Sequence, residues 1–539
     1  LSPLQVGMDE VQIVSAREMM KRKIQVWWLV GLLTLLCAIL FVATVNPKLD
    51  LNGDNASYIR LARILAEGHG YSDVSVDGSY KPASHFPPGY PALLSVFVRC
   101  GMDSLTGFKV LNGIFLLFSV LGLFFIVRRL TGQVWWAFSI AALTFFSPVL
   151  LQFSGMVMSE MSYMFTTVAV MYALFRYAER GEGEWYKSPW FYMAILFSVF
   201  SYHIRTVGAS AMFAVVVFFF FRKEWRAGLA SMTGIFLGLL PWIWRNAAYG
   251  IKGRYLGTVM TVNPWRPEMG TISSVGEMVD KMIVNLNDTV IQGFQELLFP
   301  FVDFSAAGAG TVLSGSIVFA VVVMGAWNMG KMRWAMLAFL AGNIGLFALW
   351  HGGNGTRYVT PLVPFLFVFF YVGILSLLQW YRGKRRMPEI RRDSRWGLLW
   401  LLLAVPMAGP VGELRQVAKR PYPMAYSHYF NLARMVDNSV AEGTVVCCRK
   451  PELFNYFSPK TRATGYAFSL DPEEVVRGML DNGVDYVVLE QLGYGSTGRY
   501  LYPAILEYPS VFKEIYRTPE PVTVLYVFDK SAAEAICRK

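Results

Sequence analysis

Long apolar segments recur along this chain, and they constrain its fold more than any other feature. A helix that crosses about 30 Å of hydrocarbon needs roughly 17–25 mostly apolar residues. About eleven segments approach that length, namely 24–45, 110–127, 134–151, 156–175, 190–203, 207–221, 227–244, 308–327, 334–350, 358–380 and 396–407. We therefore predict a polytopic all-α membrane protein with about 11 transmembrane helices.

The composition agrees with this interpretation. Of the 539 residues, 55% are hydrophobic and 16% are charged, whereas soluble proteins carry about 25% charged residues. This excludes an ordinary cytosolic enzyme and a disordered chain. Five scattered cysteines exclude a disulfide scaffold. The net charge of +12 is the Lys and Arg excess typical of cytoplasmic loops, so we expect the lipid bilayer as a partner and no nucleic acid.

Basic residues in the short loops predict the orientation of the chain. If the N-terminus is cytoplasmic, the pairs Arg128-Arg129 and Arg222-Lys223 and the basic stretch 382–395 lie on the inner side. The outer turn 152–159 then contains no Lys or Arg. This is the positive-inside bias, and it predicts a multi-pass protein with a cytoplasmic N-terminus.

Three segments are then extracytoplasmic and too long to be simple connectors: the loop 46–109, the loop 245–307 and the tail 408–539. We predict a transmembrane catalytic domain over 1–407, with these two outer loops, and a soluble extracytoplasmic α/β domain over 408–539. The tail alternates helical and β-rich patterns, the former at 429–440 and 472–482, the latter at 444–448, 486–490 and 523–528.

The first outer loop contains four candidate site residues: Asp54, Tyr58, Lys81 and His85. Asp54 precedes an amphipathic helical pattern, so its carboxylate could cap that helix or act as a general base at the membrane surface. Lys81 and His85 lie beside the rigid turn Phe86-Pro-Pro-Gly-Tyr-Pro91, which is either purely structural or part of a site. We predict that Asp54 is catalytic and that Tyr58, Lys81 and His85 contribute to substrate binding.

Further candidates lie at the predicted outer ends of later spans. Glu160 begins a span, and because an intramembrane acid is costly we predict that it is a second catalytic residue. Arg205 lies between two short spans, and Arg357-Tyr358 follows a Gly-rich turn that begins at His351. Arginine binds phosphate oxygens at two points, although a lone cation at a span end can also snorkel to headgroups. We predict substrate binding by these two arginines, Tyr358 and His351.

Sugar transfer from a lipid phosphate carrier to a hydroxyl would use this set of groups. The acceptor hydroxyl needs a carboxylate base, and the leaving phosphate needs cations that hold its developing charge. Asp54 would be the base, Glu160 a second acid, and Arg357 with Arg205 the phosphate ligands. Direct attack would invert the anomeric carbon. Spacing alone does not distinguish this reaction from other lipid chemistry at the outer face.

The first loop reads Gly-Asp54-Asn-Ala-Ser-Tyr58, later Leu-Ala-Arg63-Ile-Leu-Ala-Glu-Gly-His-Gly-Tyr71-Ser and then His85-Phe-Pro-Pro-Gly-Tyr-Pro91. This arrangement resembles the first outer loop of GT-C glycosyltransferases, within them the bacterial protein-mannosyltransferase and lipid A aminoarabinose transferase-like group. Ser159-Glu160 and the Arg357-Tyr358-x-x-Pro-x-x-Pro motif are similar to later features of that group. The resemblance implies a catalytic aspartate at Asp54, a polyprenyl-phosphate sugar donor, and a protein, lipid or glycan acceptor at the extracytoplasmic face of a bacterial inner membrane.

Two departures from the group leave alternatives open. Asn55 stands where many relatives have an acid, and His85-Phe86 replaces the Glu-Lys pair of lipid A aminoarabinose transferases. No cofactor is certain; a divalent metal ion stays open, with Asp54, Glu160 and His85 as candidate ligands. The alternative functions are an oligosaccharyltransferase or glycan polymerase with a lipid-pyrophosphate donor, a transporter or flippase, and a glycan-binding scaffold.

Overall fold

The computed structural model describes residues 3–180, 183–251, 254–304, 308–350, 355–381, 383 and 395–538. Helices make up most of these residues, and a small sheet domain follows them, as predicted. The helices of the first half are α1 (Pro3–Thr44), α2 (Asp54–Ala66), α3 (Gly89–Arg99), α4 (Leu105–Thr131), α5 (Val134–Phe146), α6 (Pro148–Ser154), α7 (Glu160–Ala178), α8 (Pro189–Ile204), α9 (Ala209–Phe221) and α10 (Trp225–Ala248).

The remaining helices connect the bundle to the tail and build the tail itself. They are α11 (Arg254–Met260), α12 (Val275–Leu286), α13 (Gly293–Leu298), α14 (Ala309–Trp327), α15 (Arg333–Leu349), α16 (Gly355–Val359), α17 (Val363–Tyr381), α18 (Ala404–Lys419), α19 (Met424–Ser439), α20 (Pro451–Phe457), α21 (Pro472–Asp481), α22 (Tyr502–Glu507) and α23 (Lys530–Cys537).

Each of the eleven predicted spans contains helix. Seven helical stretches in the described part of the chain are long and apolar enough to cross a membrane, or eight if the bent pair α5–α6 is one span. The two members of that pair meet at an angle of 61°, where Ser147 and Pro148 interrupt the helix. Helices α8 and α9 are shorter because a 3₁₀ turn, Thr206–Gly208, separates them.

The first loop forms two helices and a hairpin. Asp54 is the first residue of α2, as the amphipathic pattern predicted. Strands β1 (Ser72–Val74) and β2 (Tyr80–Pro82) pair antiparallel, and α3 then leads back towards the bundle.

The tail forms a five-stranded sheet of β3 (Val445–Cys447), β4 (Arg462–Thr464), β5 (Tyr486–Glu490), β6 (Phe512–Arg517) and β7 (Thr523–Phe528). The strand order is β4-β3-β5-β7-β6; β3 is parallel to β4 and β5, and the pairs β5–β7 and β6–β7 are antiparallel. The three predicted strands are confirmed. The short strand β4 and the largely exposed strand β6 lack the buried β-rich pattern that marked the others.

One hydrophobic cluster joins the first loop to the tail. Apolar side chains of α2 and α3 share it with α19, α20 and the sheet, and its members include Ile59, Ala62, Tyr90, Leu94, Tyr429, Leu453, Val488 and Leu525. We call the end of the bundle that carries this cluster the loop face. The predicted domain boundary after residue 407 falls inside α18, which continues towards the tail.

Candidate active site

Four charged side chains that are far apart in the sequence meet at the loop face. Arg357 of α16 donates through Nη2 to Asp54 Oδ2 at 2.6 Å and through Nε to Glu160 Oε1 at 3.0 Å. Arg205 Nη1 lies 2.7 Å from the same Glu160 oxygen. Negative and positive groups therefore alternate from Asp54 through Arg357 and Glu160 to Arg205. We call these four residues the charge chain.

Glu160 is the buried centre of this chain. It is the first residue of α7, where the helix dipole favours a negative charge, and its side chain has 0% exposure. Its second oxygen, Oε2, is buried without a hydrogen-bond partner in the described residues. Two guanidinium groups thus compensate one carboxylate, and the carboxylate holds both of them in place.

Asp54 occupies the accessible end of the chain. Its side chain is 27% exposed, so the carboxylate can be reached by another molecule while it pairs with Arg357. The next residue, Asn55, is buried and accepts a hydrogen bond from the backbone N–H of Val157 at 2.8 Å. Its amide Nδ2 donates to Asp50 Oδ1 at 3.3 Å. These bonds fix the start of α2 against the segment that precedes α7.

Arg205 is held by a tight turn between α8 and α9. Besides Glu160, it donates to Ser159 Oγ at 3.1 Å, and that hydroxyl lies 3.2 Å from the hydroxyl of Tyr58. A Cβ on Gly208 would lie 2.3 Å from the backbone nitrogen of Tyr202, so only glycine fits there. The backbone of the turn that carries Arg205 is therefore closely packed against the end of α8.

Burial changes the pKa of two loop residues beside the cluster. Burial raises the pKa of the Tyr58 phenol, and the nearby carboxylates of Asp54 and Glu160 add to that rise. Tyr58 is therefore a neutral hydroxyl in the neutral pH range. Burial also raises the pKa of the Asp50 carboxyl, although the positive charges of Lys109 and Arg357 oppose the rise.

The other predicted site residues lie around the cluster rather than inside it. Lys81 and His85 are exposed, Lys81 on β2 and His85 in ring contact with Phe86 at 4.4 Å. Tyr358 packs towards α15, where its hydroxyl accepts a hydrogen bond from Trp350 Nε1 at 3.1 Å. His351 lies outside the described residues.

Two neutral side chains and one buried lysine, none of which was predicted from the sequence to have a role, complete the site. Ser159 connects Arg205 to Tyr58, and Asn55 anchors the base-bearing helix. Lys109, which is 1% exposed, donates to the backbone carbonyls of Asn46 and Lys48 at the start of the first loop. The sequence does contain a signal for Lys109: it is a lysine at the start of an apolar helix, and a buried charge needs hydrogen-bond partners.

The donor set does not fit a divalent metal ion. A metal would need the carboxylates of Asp54 and Glu160 to face one cation, and Arg357 already spans the space between them. Among the described residues, no group of three or more His, Cys, Asp or Glu side chains is arranged to hold a metal. The guanidinium supplies the positive charge at this point.

The fold matches solved membrane-protein structures over most of the chain. Archaeal oligosaccharyltransferase AglB from Archaeoglobus fulgidus, in complex with an inhibitory peptide and a dolichol-phosphate, has a TM-score of 0.57 at 13% identity, covering 93% of this chain and 74% of its own. ArnT from Cupriavidus metallidurans bound to undecaprenyl phosphate has a TM-score of 0.56 at 12% identity, with coverages of 93% and 98%.

A third structure, the Archaeoglobus fulgidus oligosaccharyltransferase in complex with Zn and sulfate, has a TM-score of 0.52 at 14% identity, covering 92% of this chain and 73% of its own. No model of a protein family and no curated protein matches the sequence. The structural matches show the fold: this chain shares its architecture with AglB and ArnT.

Proposed function

We propose that this protein is an inverting glycosyltransferase, which moves a sugar from a polyprenyl-phosphate carrier to a hydroxyl acceptor at the extracytoplasmic face of a bacterial inner membrane. The observation that carries the proposal is the charge chain of Asp54, Arg357, Glu160 and Arg205 at the loop face. Support also comes from fold neighbours that bind undecaprenyl phosphate and a dolichol-phosphate.

In the proposed step, Asp54 is the general base. It takes the proton of the acceptor hydroxyl while that oxygen forms a bond to the anomeric carbon of the donor sugar. The bond from the anomeric carbon to the phosphate oxygen breaks, and polyprenyl phosphate leaves with the bonding electrons. Attack from the side opposite the phosphate inverts the anomeric centre.

The two arginines stabilise the leaving phosphate in this proposal. Guanidinium groups pair with phosphate oxygens at two points, and preorganised cations lower the barrier where charge develops. A donor phosphate that pairs with Arg357 competes with Asp54 for the same guanidinium. Donor binding would thereby release Asp54 to accept a proton, which couples the base to the presence of the donor.

Glu160 positions the arginines rather than touching substrate. The sequence analysis assigned it a role as second catalytic acid, but its side chain is fully buried and both its charge partners are the arginines. Lys81 and His85 are exposed and remain proposed substrate contacts.

An oligosaccharyl transfer from a lipid-pyrophosphate donor is the second candidate. It is favoured by the similarity to AglB and by the loop 245–307, which reaches the tail through an ion pair between Glu268 and Arg499 at 2.7 Å. A loop braced in this way could cover a large substrate. By contrast, a transporter needs charges along a path at mid-membrane, whereas the charges of this cluster gather at the loop face.

Donor consumption by the full chain in lipid nanodiscs tests the proposal. Undecaprenyl-phosphate sugars and undecaprenyl-pyrophosphate oligosaccharides are supplied separately, each with a simple alcohol as the hydroxyl acceptor. The released lipid phosphate or pyrophosphate is measured by mass spectrometry. We expect release from the monophosphate donors and its loss in Asp54→Asn. Release from the pyrophosphate donors alone would favour the second candidate, and release from neither would refute both.

A further inference from the structure

Two adjacent cations of the tail, Arg449 and Lys450, lie among aromatic rings. The guanidinium carbon of Arg449 is 5.6 Å from the ring centre of Trp265, 5.2 Å from Phe468 and 4.7 Å from Tyr494. The ammonium nitrogen of Lys450 is 4.7 Å from the ring centre of Tyr494. We call these five residues the aromatic–basic cluster.

The positive charge of the cluster is not neutralised by an ion pair. Within the described ranges, neither Arg449 nor Lys450 has an acidic oxygen within 4.0 Å. Arg449 donates instead to Ser496 Oγ at 2.5 Å. The nearby acid Glu490 is 3% exposed, and its two oxygens accept hydrogen bonds from the Thr497 hydroxyl and the Leu492 backbone N–H.

The cluster is connected to the start of α2 through α20. Lys450 immediately precedes α20, whose Glu452 packs against the residue before Asp54: a Cβ on Gly53 would lie 3.1 Å from Glu452 Oε2. On the other side, Trp265 comes from the loop 245–307, so the cluster lies where that loop meets the tail. A molecule bound here would be held beside α2.

Aromatic rings next to cations suit one class of ligand. The flat apolar face of a sugar ring stacks on an aromatic ring, and lysine and arginine bind a carboxylate or phosphate. Trp265 is 53% exposed and offers such a face. A neutral glycan would use the exposed face of Trp265 but would gain little from two cations that have no acidic oxygen within 4.0 Å.

We propose that the aromatic–basic cluster is the acceptor subsite and that the acceptor is an acidic glycan, a sugar chain that carries an anionic group. The anion pairs with Lys450, a sugar ring stacks on the exposed face of Trp265, and a neighbouring hydroxyl points towards Asp54. This inference rests on the proposed transfer function and specifies its acceptor.

Binding measurements on the full chain in nanodiscs test this subsite without turnover. The probes are a digalacturonate, the neutral disaccharide galactobiose, and galactose 6-phosphate, each titrated by calorimetry. We expect both anionic probes to bind at least tenfold more tightly than galactobiose. Tighter binding of digalacturonate assigns a carboxylate to the acceptor, and tighter binding of galactose 6-phosphate assigns a phosphate.

Variants identify the residues responsible. Lys450→Gln should weaken binding of the anionic probes at least tenfold, and Lys450→Arg should bind them as wild type does. Lys460→Gln is the control at an exposed lysine of the same domain, and its affinity for the probes should equal that of wild type. Equal binding of neutral and anionic probes, or unchanged binding by Lys450→Gln, would overturn the subsite. Donor consumption is scored separately, so failure of the transferase proposal is distinguished from failure of the acceptor subsite.

Discussion

Arg357 Nη2 lies 2.6 Å from Asp54 Oδ2, so the proposed phosphate ligand and the proposed base neutralise each other across the loop face. The same guanidinium reaches Glu160 through Nε at 3.0 Å. One side chain therefore connects an accessible carboxylate to a buried one.

Asp54→Asn should abolish sugar transfer while the chain still folds. The amide keeps an oxygen that can accept from Arg357 but cannot take a proton, and a general base contributes about 10²–10⁴-fold to a rate. We expect a loss of that size in lipid phosphate release and an unchanged elution profile in size-exclusion chromatography. Turnover of Asp54→Asn close to that of wild type would show that Asp54 is not the general base.

Arg357→Lys should weaken use of the donor more than it weakens folding. Lysine keeps the charge but not the planar fork that reaches both carboxylates. We expect at least a tenfold rise in KM for the polyprenyl-phosphate sugar, measured in steady-state assays of the purified chain. Arg517→Lys, at an exposed position of β6 in the tail, is the matched control. An unchanged KM and rate in Arg357→Lys would show that this arginine does not bind the donor phosphate and would favour a contact with lipid headgroups.

Glu160→Gln should destabilise the chain strongly. The substitution leaves Arg205 and Arg357 next to each other without their shared carboxylate, and breaking a buried charge pair typically costs about 3–5 kcal/mol. We expect a lower Tm in a thiol-reactive-dye or intrinsic-fluorescence melt. Combining it with Arg205→Met should restore part of the Tm, because one unpaired charge is removed as well. Additive losses in the double variant would contradict this coupling.

Gly208→Ala should disturb the turn that carries Arg205. Its Cβ would lie 2.3 Å from the Tyr202 nitrogen, and overpacking of this kind costs about 1–3 kcal/mol. Gly345→Ala provides the comparison, since a Cβ there meets nothing within 4 Å and alanine is the better helix former. We expect a lower Tm and lower transfer rate for the first variant and neither for the second. Equal behaviour of the two would exclude a packed turn.

Asp50→Asn should change how stability depends on pH. Burial raises the pKa of Asp50 in the folded chain, so its contribution to stability is complete below the unfolded pKa of about 3.9 and is lost as pH rises through the folded value. Asparagine imitates the neutral carboxyl. The Tm of the variant minus that of wild type should therefore increase from acidic to neutral pH. If the Tm difference instead decreases from acidic to neutral pH, the pKa of Asp50 is lowered in the folded chain and the prediction is wrong.

The helical part of the fold could be predicted because span length and charge bias act over whole segments. Asp54, Glu160, Arg205 and Arg357 each lie at a predicted outer helix end, which explains why a topology argument placed them on one face. The ion pairs between them could not be read from the sequence, since pairing depends on side-chain geometry within a few ångströms.

The neutral contributors were harder to identify. Ser159 and Asn55 carry no charge, so neither hydropathy nor loop bias distinguishes them from ordinary polar residues. The bend between α5 and α6 was also missed, because the apolar run continues through Ser147 and Pro148. Lys81, His85 and Tyr358 were selected for chemistry alone, and none of them joins the ion pairs of the charge chain.

The cluster that packs α2 includes Leu525 of β7, and this has a consequence for biogenesis. A ribosome that has synthesised every membrane helix has not yet supplied the side chains that support the start of α2. Alignment of the proposed base must then await synthesis of the last strand. Under the proposed function, a partly made chain would not act on lipid-linked sugars before that strand has joined the cluster.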